Sequence, residues 1–490
     1  MTDPTPLPLT NLSQDEPELF AVISQLAADY LHTILAPCAL IVPGEAKGVE
    51  LLCTHLRPHL DEYLAMLLFR ACLPEAKRNL PLQETVLTDA QHDPAICASW
   101  SKAAVFGLGG VQTGGAQPLL LFDEHTAHGQ EHLASSAVAL VSRRLLGTEI
   151  LPKSLFFILR EADLVDALGG AHPKHLANYI LRLHDLLPAE KPGNPSPTLV
   201  KQAVVDGAIL SLLRAAELNV PYWQDDFWRP RALAQLEKYA AHSPLREEEG
   251  FQKAYAQLKK NLEGFHQPRF NVKNASEAHL GFSLGGKRLF QCLVVPFIAA
   301  LCPIVLGEKA GMAIMRRLWE ARIVTQMRYN TALDCLEEVL GADPSPCDAD
   351  TAIGHIAFRT LQGRETSPWV ISVEQKPGMS NVRQALTRYV RTYNADLALT
   401  LLHNAESDSL VLSRGSAIPK ELWDSLVDWL VASEGSSDQE GQPGAWHVVT
   451  NALGERADFI LNGNAAHRYV QKTELNADKL TTWLEAHWQA

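Results

Sequence analysis

The sequence predicts an α/β protein with an N-terminal parallel sheet, a helical middle insertion and a smaller C-terminal α/β domain. Short apolar runs alternate with helical patterns in both terminal regions, which is typical of α/β folds. The region between them has helical periodicity almost throughout, and breaks that contain prolines, residues 186–199 and 341–350, flank it. At 490 residues the chain exceeds the roughly 250–300 residues at which one hydrophobic core stops growing. We therefore expect domains at residues 1–190, 199–341 and 350–490.

The N-terminal region opens with an amphipathic helix, predicted over residues 15–36, which Pro37 ends. After it, short apolar runs between turn residues predict buried strands, and longer periodic stretches predict helices. The strands are predicted at residues 38–43, 49–55, 84–88, 103–110 and 118–125, and the helices at residues 63–73, 133–147 and 153–168. Because strands alternate with helices, we expect a parallel sheet that binds its ligand beyond the carboxyl ends of its strands.

The C-terminal region returns to the same alternation. Its predicted strands are residues 369–375, 396–404, 409–415, 445–451 and 457–463, and its predicted helices are residues 381–393, 419–433 and a closing helix. In the helical middle region, the apolar run Leu289–Gly307 is long enough for a membrane span, which needs roughly 20 apolar residues. Pro296 and Pro303 interrupt it, so we expect a buried helical hairpin or a broken core helix instead.

Composition and charge limit the classes of function. Hydrophobic residues make up 47% and charged residues 20% of the chain, as in a globular protein with a substantial interior. A net charge of −13 disfavours a broad electrostatic surface for long nucleic acid, but it leaves room for a short, locally held phosphate substrate. The eight cysteines show no CxxC spacing, and the N-terminus shows no signal or transit peptide. We therefore expect a cytoplasmic protein with reduced thiols and no membrane partner.

Imidazole and carboxylate side chains cluster at the end of the predicted strand at residues 49–55. They are His55, His59, Asp61 and Glu62, and together such groups suit manganese, iron or zinc. The same segment also fits a solvated helix cap, because acids favour the positive end of the helix dipole. By itself the segment supports both interpretations equally.

Two further clusters lie in the same region. Asp123, Glu124 and His125 end an apolar strand, and Asp163 and Asp166 lie one turn apart in a helical pattern. Acidic residues within an apolar helix need solvent or a partner such as a metal ion. Because the strands of a parallel sheet end at one edge, we expect the strand-end segments His55–Glu62, Gly107–Gly110 and Asp123–His125 to converge on one cleft.

In order and approximate spacing over residues 48–170, these segments resemble the DHH phosphoesterase superfamily. The most similar branch is the melanocyte-proliferating-gene (Myg-type) branch of 3′-5′ exonucleases. Its Thr-His and His-x-Asp-Glu motifs are similar to THLRPHLDE, although this chain has one residue fewer between the histidines. Its Tyr-Asp-His-His, SSAG-type and acidic VDAVD motifs are similar to FDEH, SSAVALVSRRLLG and ADLVD. A closing Gly-Gly-His-Arg motif is matched more weakly by ADFILNGNAAHR.

The resemblance implies a DHH-like N-terminal domain, a C-terminal substrate-binding domain of DHHA1 type, and metal-dependent phosphodiester hydrolysis with Mn²⁺. The implied partner is a short oligonucleotide or a nucleotide phosphodiester, and a homodimer is a further candidate assembly. The implied metal ligands are His55, His59, Asp61, Asp123, Asp163 and Asp166, the catalytic residues are Glu124 and His125, and the substrate-binding residues are His467 and Arg468.

Two positions depart from the branch. Gly107 stands where the branch has a bridging aspartate, and Glu124 replaces the first histidine of its triplet. A bridging carboxylate holds the two ions of such hydrolases roughly 3.5–4 Å apart, so its loss leaves one metal or none. The alternative function is therefore a catalytically degenerate homologue that serves as a binding or interaction module. A third interpretation is that these polar residues are only solvated strand ends.

Overall fold

The computed structural model divides the chain into two compact units, Met1–Val324 and Thr325–Ala490. The structure describes residues 17–38, 40–55, 58–85, 98–108, 118–123, 136–146, 151–152, 155–156, 159, 162–163, 197–217, 225–263, 287–361, 367–379, 382–393, 396–404, 409–436, 445–450, 456–463 and 471–488. We call the two parts the N-terminal unit and the C-terminal unit. The division falls inside a helix that begins at Glu308 and ends at Leu340.

The N-terminal unit contains a four-stranded sheet whose strands all run parallel. Its strands are β1 (Leu51–His55), β2 (Leu82–Thr85), β3 (Ala103–Phe106) and β4 (Leu120–Phe122), in the order β2-β1-β3-β4. Helices α1 (Pro17–Leu35), α2 (Leu60–Cys72) and α3 (Ala137–Leu145) accompany it. The predicted α/β class and the predicted parallel sheet are therefore confirmed.

Burial explains why these segments fold as they do. Every residue of β3 and of α2 is buried, which fits a parallel sheet whose faces are covered by helices. In the stretch 38–43, by contrast, the described residues, 38 and 40–43, do not form the predicted strand, and among them only a bridge between Leu40 and Leu146 is present. Pro37 and Pro43 flank this stretch and lack the backbone N–H that a strand ladder needs, so the prediction of a strand there is wrong.

The middle region is helical, as predicted, over the part of it that the structure describes. Its helices are α4 (Pro197–Glu217), α5 (Asp225–His242), α6 (Phe251–Glu263), α7 (Lys287–Leu306) and α8 (Glu308–Leu340). Two ion pairs connect α4 to the sheet region: Arg70 of α2 lies 2.5 Å from Asp206 in a buried pair, and Lys201 lies 2.9 Å from Glu84 of β2 in a partly buried one.

Helix α7 carries the apolar run that we expected to be a hairpin or a broken helix. It is one continuous helix with Pro296 and Pro303 inside it, so that prediction is wrong. The apolar residues of α7 between Val295 and Cys302 are buried, and the helix packs against α4 and α5. This packing offsets the roughly 3 kcal/mol of free energy that a proline inside a helix costs. Among the helices that the structure describes, none combines the length and the apolar character that crossing a bilayer requires.

The C-terminal unit is built on a seven-stranded sheet in the order β10-β11-β9-β8-β7-β6-β5. Only β7 and β8 run parallel, and the other neighbouring pairs are antiparallel. The elements are β5 (Cys347–Asp350), β6 (Gly354–Thr360), β7 (Trp369–Gln375), α9 (Val382–Thr392), β8 (Leu397–Asn404), β9 (Ser409–Arg414), α10 (Lys420–Glu434), β10 (His447–Thr450), β11 (Arg456–Asn462) and α11 (Ala477–His487).

Two hydrophobic cores cover the opposite faces of this sheet. Val370 belongs to the core that contains α10 and α11, whereas its neighbour Ile371 belongs to the core that contains α9 and the end of α8. This alternation follows from the two-residue period of a strand. Strand β5 lies inside residues 341–350, which we interpreted as a break, and β6 was not predicted.

Candidate metal centre

The carboxyl ends of the parallel strands lie level with one another. His55 pairs with Thr85, Thr54 pairs with Phe106, and Phe106 pairs with Phe122, so β1, β2, β3 and β4 end at one edge. The chain passes from β1 to β2 on one side and later continues with β3 on the other side of β1. This arrangement is a topological switch point, where α/β sheets form their ligand crevices.

Three side chains meet at this edge, and we call them the His-Glu cluster: His55, His59 and Glu62. His55 is the last residue of β1, His59 directly precedes α2, and Glu62 lies in the first turn of α2. The Nε2 atom of His55 lies 2.9 Å from Oε1 of Glu62, and Nδ1 of His59 lies 3.7 Å from the same oxygen. One carboxylate oxygen therefore faces both imidazole rings.

The three members of the cluster differ in their exposure. The side chains of His55 and Glu62 are 11% and 3% exposed, whereas the side chain of His59 is 64% exposed. The other oxygen of Glu62, Oε2, accepts a hydrogen bond of 2.6 Å from the backbone N–H of His59. Glu62 is thus held at the helix N-terminus, with the exposed His59 at the mouth of the cluster and the buried His55 behind it.

Glu62 is ionised in the folded protein. Burial by itself raises the pKa of its carboxyl, but the charges of His59 and His55 and the hydrogen bond from His55 outweigh burial, so the net pKa lies well below its ordinary value. An ionised carboxylate only accepts hydrogen bonds. It follows that Nε2 of His55 carries the proton in the contact with Glu62.

Gly107, the residue after β3, lies directly against this carboxylate. A Cβ atom on residue 107 would lie 2.7 Å from Oε1 and 2.8 Å from Cγ of Glu62, closer than real Cβ atoms approach. The backbone of Gly107 also has φ +59°, in the left-handed region that disfavours most side chains. The space beside Gly107 is therefore filled by the side chain of Glu62.

Two other predicted ligands lie around the N-terminus of α3. Asp61 is buried, and its Oδ2 accepts a hydrogen bond of 3.3 Å from the backbone N–H of Ala137. The hydroxyl of Ser136 donates to Oδ1 of Asp163 at 2.8 Å and accepts from the backbone N–H of Ala139. Both carboxylates thus stabilise the positive end of this helix in the described structure.

Asp123 directly follows β4 at the same edge as Gly107. The backbone N–H of Gly107 donates to the carbonyl of Phe122, and neighbouring strands lie about 4.8 Å apart, so Asp123 is one strand away from Gly107. Its side chain is half-buried. The other predicted site residues, Glu124, His125, Asp166, His467 and Arg468, lie outside the described residues.

Sequence reasoning placed Glu62 in the polar segment but left it out of the predicted ligand set. The sequence contained a signal for Glu62, because an acid three residues after the N-cap of a helix can accept a hydrogen bond from the backbone N–H of the N-cap residue. In the structure this geometry turns Glu62 towards both histidines. The geometry of the described residues therefore adds one residue, Glu62, to the predicted metal ligands.

Two imidazoles and one carboxylate form a ligand set that suits manganese, iron or zinc. One ligand atom from each residue lies within 4.8 Å of the others. Ligand atoms around a tetrahedral ion with bonds near 2.1 Å are about 3.4 Å apart, so to bind one the pair His55–Glu62 would move apart from 2.9 Å and His59 would move slightly closer to Glu62. His55 would release its Nε2 proton on binding, because a ligating nitrogen must be unprotonated.

We compared the chain with models of protein families, with curated proteins and with solved structures, and none of the three comparisons gave a match.

Proposed function

We propose that this protein is a metal-dependent phosphodiester hydrolase that acts on short nucleic acid or nucleotides, with the His-Glu cluster at its metal centre. The observation that carries the proposal is the position of the cluster. Two imidazoles and an ionised carboxylate share one point at the carboxyl edge of a parallel sheet, beside the switch point between β1 and β3. The motif order that resembles the DHH phosphoesterases supports the choice of phosphodiesters, and Mn²⁺ is the metal we propose.

The chain's own residues have distinct roles in this proposal. A divalent ion at such a place would polarise a phosphoryl oxygen and lower the pKa of water. His55 and Glu62, which are buried, fix the position of the centre, and His59 faces solvent where substrate enters. Asp123 stands one strand away, and we assign it to the metal centre as a further ligand, as the resemblance implies; we assign proton transfer to Glu124 and His125.

The substrate would be short, because the net charge of −13 disfavours a long anionic polymer. We assign the binding of its terminal phosphate to His467 and Arg468, as the resemblance implies. Asp61 and Asp163 would act on the centre indirectly or as further ligands, since in the described structure they hold the N-terminus of α3.

The test is hydrolysis of a chromogenic phosphodiester and of short RNA by protein purified without chelator, with Mn²⁺ added. We expect turnover that falls at least 100-fold in Glu62→Gln and in Asp123→Ala, because each variant removes a carboxylate that would hold the ion, and losing a group on which transition-state stabilisation depends costs roughly 10²–10³ in rate. Glu50→Gln is the matched control. Glu50 is an exposed acid directly before β1, at the opposite edge of the same sheet, where it pairs with Lys102. The control should keep full activity.

One observation favours the alternative function, an interaction module without catalysis. The carboxylate of Glu62 already accepts hydrogen bonds from His55 and from the backbone of His59, as a purely structural helix cap would. If the wild-type protein binds no metal and has no turnover, and Asp123→Ala changes neither result, the hydrolase proposal fails and this alternative replaces it.

A further inference from the structure

We infer that Glu62 supplies, from helix α2, the carboxylate that a side chain at position 107 would otherwise place in this crevice, and that residue 107 is glycine in order to admit Glu62. The inference rests on the metal centre proposed above. It adds that the two positions form an exchangeable pair across the switch point, so that a carboxylate from either one can complete the metal centre.

The first step is the geometry of contact. A Cβ on residue 107 would lie 2.7 Å from Oε1, 2.8 Å from Cγ and 3.2 Å from Cδ of Glu62. All three atoms belong to the side chain of Glu62, and none belongs to the backbone. Glu62 therefore occupies the direction in which a side chain of residue 107 would project, and truncating Glu62 would vacate it.

The second step is the identity of the atom in contact. Oε1, which faces Gly107, is also the atom that lies 2.9 Å from Nε2 of His55 and 3.7 Å from Nδ1 of His59. Of the two carboxylate oxygens, it is this one that is common to both imidazoles. A carboxylate projecting from residue 107 would thus reach the same point between the two rings.

The third step concerns the backbone of residue 107, whose φ is +59°. Most residues are strained there, but aspartate and asparagine adopt this left-handed region several-fold more often than other side chains. An aspartate at position 107 is therefore compatible with the backbone, and the obstacle to it is the side chain of Glu62. Asparagine has the same shape and the same backbone preference without the charge, so it provides a matched control.

The experiment measures Mn²⁺ affinity by electron paramagnetic resonance of free Mn²⁺, without substrate, on the full chain. Glu62→Ala should weaken binding by roughly tenfold or more. Glu62→Ala/Gly107→Asp should recover most of that loss, whereas Glu62→Ala/Gly107→Asn should recover none. Circular dichroism of each variant checks that it is folded, and Gly107→Asp alone should lose stability because both side chains then compete for one space.

Three results would overturn the inference: wild-type protein that binds no Mn²⁺, Glu62→Ala that binds as tightly as wild type, or aspartate at 107 that rescues no better than asparagine. The hydrolase proposal fails separately. Rescue of Mn²⁺ binding in a protein that hydrolyses no phosphodiester would support the exchange between the two positions and contradict the proposed reaction.

Discussion

Both units of the chain combine strands with helices along the sequence, yet their sheets differ in strand direction. All neighbouring strands of the N-terminal sheet are parallel, whereas only β7 and β8 are parallel in the C-terminal sheet. In both units a helix connects parallel neighbours such as β1 and β2 or β7 and β8, while short connections such as that between β5 and β6 give antiparallel pairs. The length of the connection therefore decides whether two neighbouring strands run parallel or antiparallel. Only in the N-terminal sheet do the carboxyl ends of all strands lie at one edge.

The two units also differ in how they hold charge. The N-terminal unit buries Arg70 and Asp206, each with a side chain 1% exposed, and it buries Glu62 in the His-Glu cluster. In the C-terminal unit the pair Arg359–Asp478 has side chains 20% and 69% exposed. Buried charge is costly unless it is paired, so the N-terminal unit is where a single substitution should have the larger consequence.

The largest effect should come from Arg70→Ala, which leaves Asp206 buried without its partner. Breaking a buried pair in this way costs roughly 3–5 kcal/mol, whereas losing an exposed pair in the control variant Lys479→Ala, whose partner is Glu474 of the C-terminal unit, costs about 0–1 kcal/mol. Hydrogen exchange measured by mass spectrometry on peptides of each unit would give both losses separately. Equal losses of unfolding free energy in the two variants would contradict the prediction that the buried pair contributes more than the exposed one.

The next effect concerns two glycines with positive φ, Gly354 in the C-terminal unit and Gly107. A Cβ at 354 would lie 1.9 Å from the backbone oxygen of Glu374, whereas the three atoms nearest to a Cβ at 107 all belong to the side chain of Glu62. Gly354→Ala should therefore destabilise more than Gly107→Ala, for which backbone strain costs about 1–3 kcal/mol.

Adding a second substitution sharpens this comparison. Glu62→Ala should relieve part of the cost of Gly107→Ala, and Glu374→Ala should relieve none of the cost of Gly354→Ala, because the backbone oxygen remains. Thermal unfolding midpoints of the four variants measure these costs. Relief at position 354 would show that the contact there is not with backbone.

The smallest effect is in thiol reactivity. Burial raises the pKa of the Cys302 thiol in the N-terminal unit to about 12. It also raises the pKa of the Cys347 thiol in the C-terminal unit, but this residue is only half-buried. At pH 8 a thiol with a pKa near 12 is ionised in about one molecule in 10,000, and this fraction grows about tenfold for each pH unit.

A pulse of iodoacetamide followed by peptide mass spectrometry would compare the two thiols. Cys347 should be modified first in the native protein, and Cys302 should be modified only after unfolding. Modification of Cys302 in native protein at pH 8, at a rate equal to that of Cys347, would contradict its placement in the interior.

Much of the fold was predictable because local patterns encode it. Apolar runs predicted β1, β3 and β4. The helical pattern that follows β1 predicted that the next strand in the chain runs parallel to it. Strand β5 could not be found in this way, because its residues Cys347–Asp350 are polar and lie at a sheet edge where little is buried. The directions of the C-terminal strands were also not determined, since a two-residue period is the same in either direction.

The candidate site was predictable only in part for a related reason. His55 and His59 stand close in sequence to a strand end, so one segment was enough to make them candidate ligands. The contact between Glu62 and Gly107 depends instead on the register between β1 and β3, which brings residues 45 positions apart together. Such long-range register cannot be read from a local pattern, and at position 107 the resemblance suggested only a lost carboxylate.

The central claim is that the carboxyl edge of the parallel sheet holds a metal ion between His55, His59 and Glu62. Anomalous diffraction from crystals of the full chain grown with Mn²⁺ tests it most directly. We predict a peak at that edge, roughly 2.0–2.2 Å from an imidazole nitrogen of each histidine and from Oε1 of Glu62. No peak there, with the hydrogen bond between His55 and Glu62 intact, would contradict the claim.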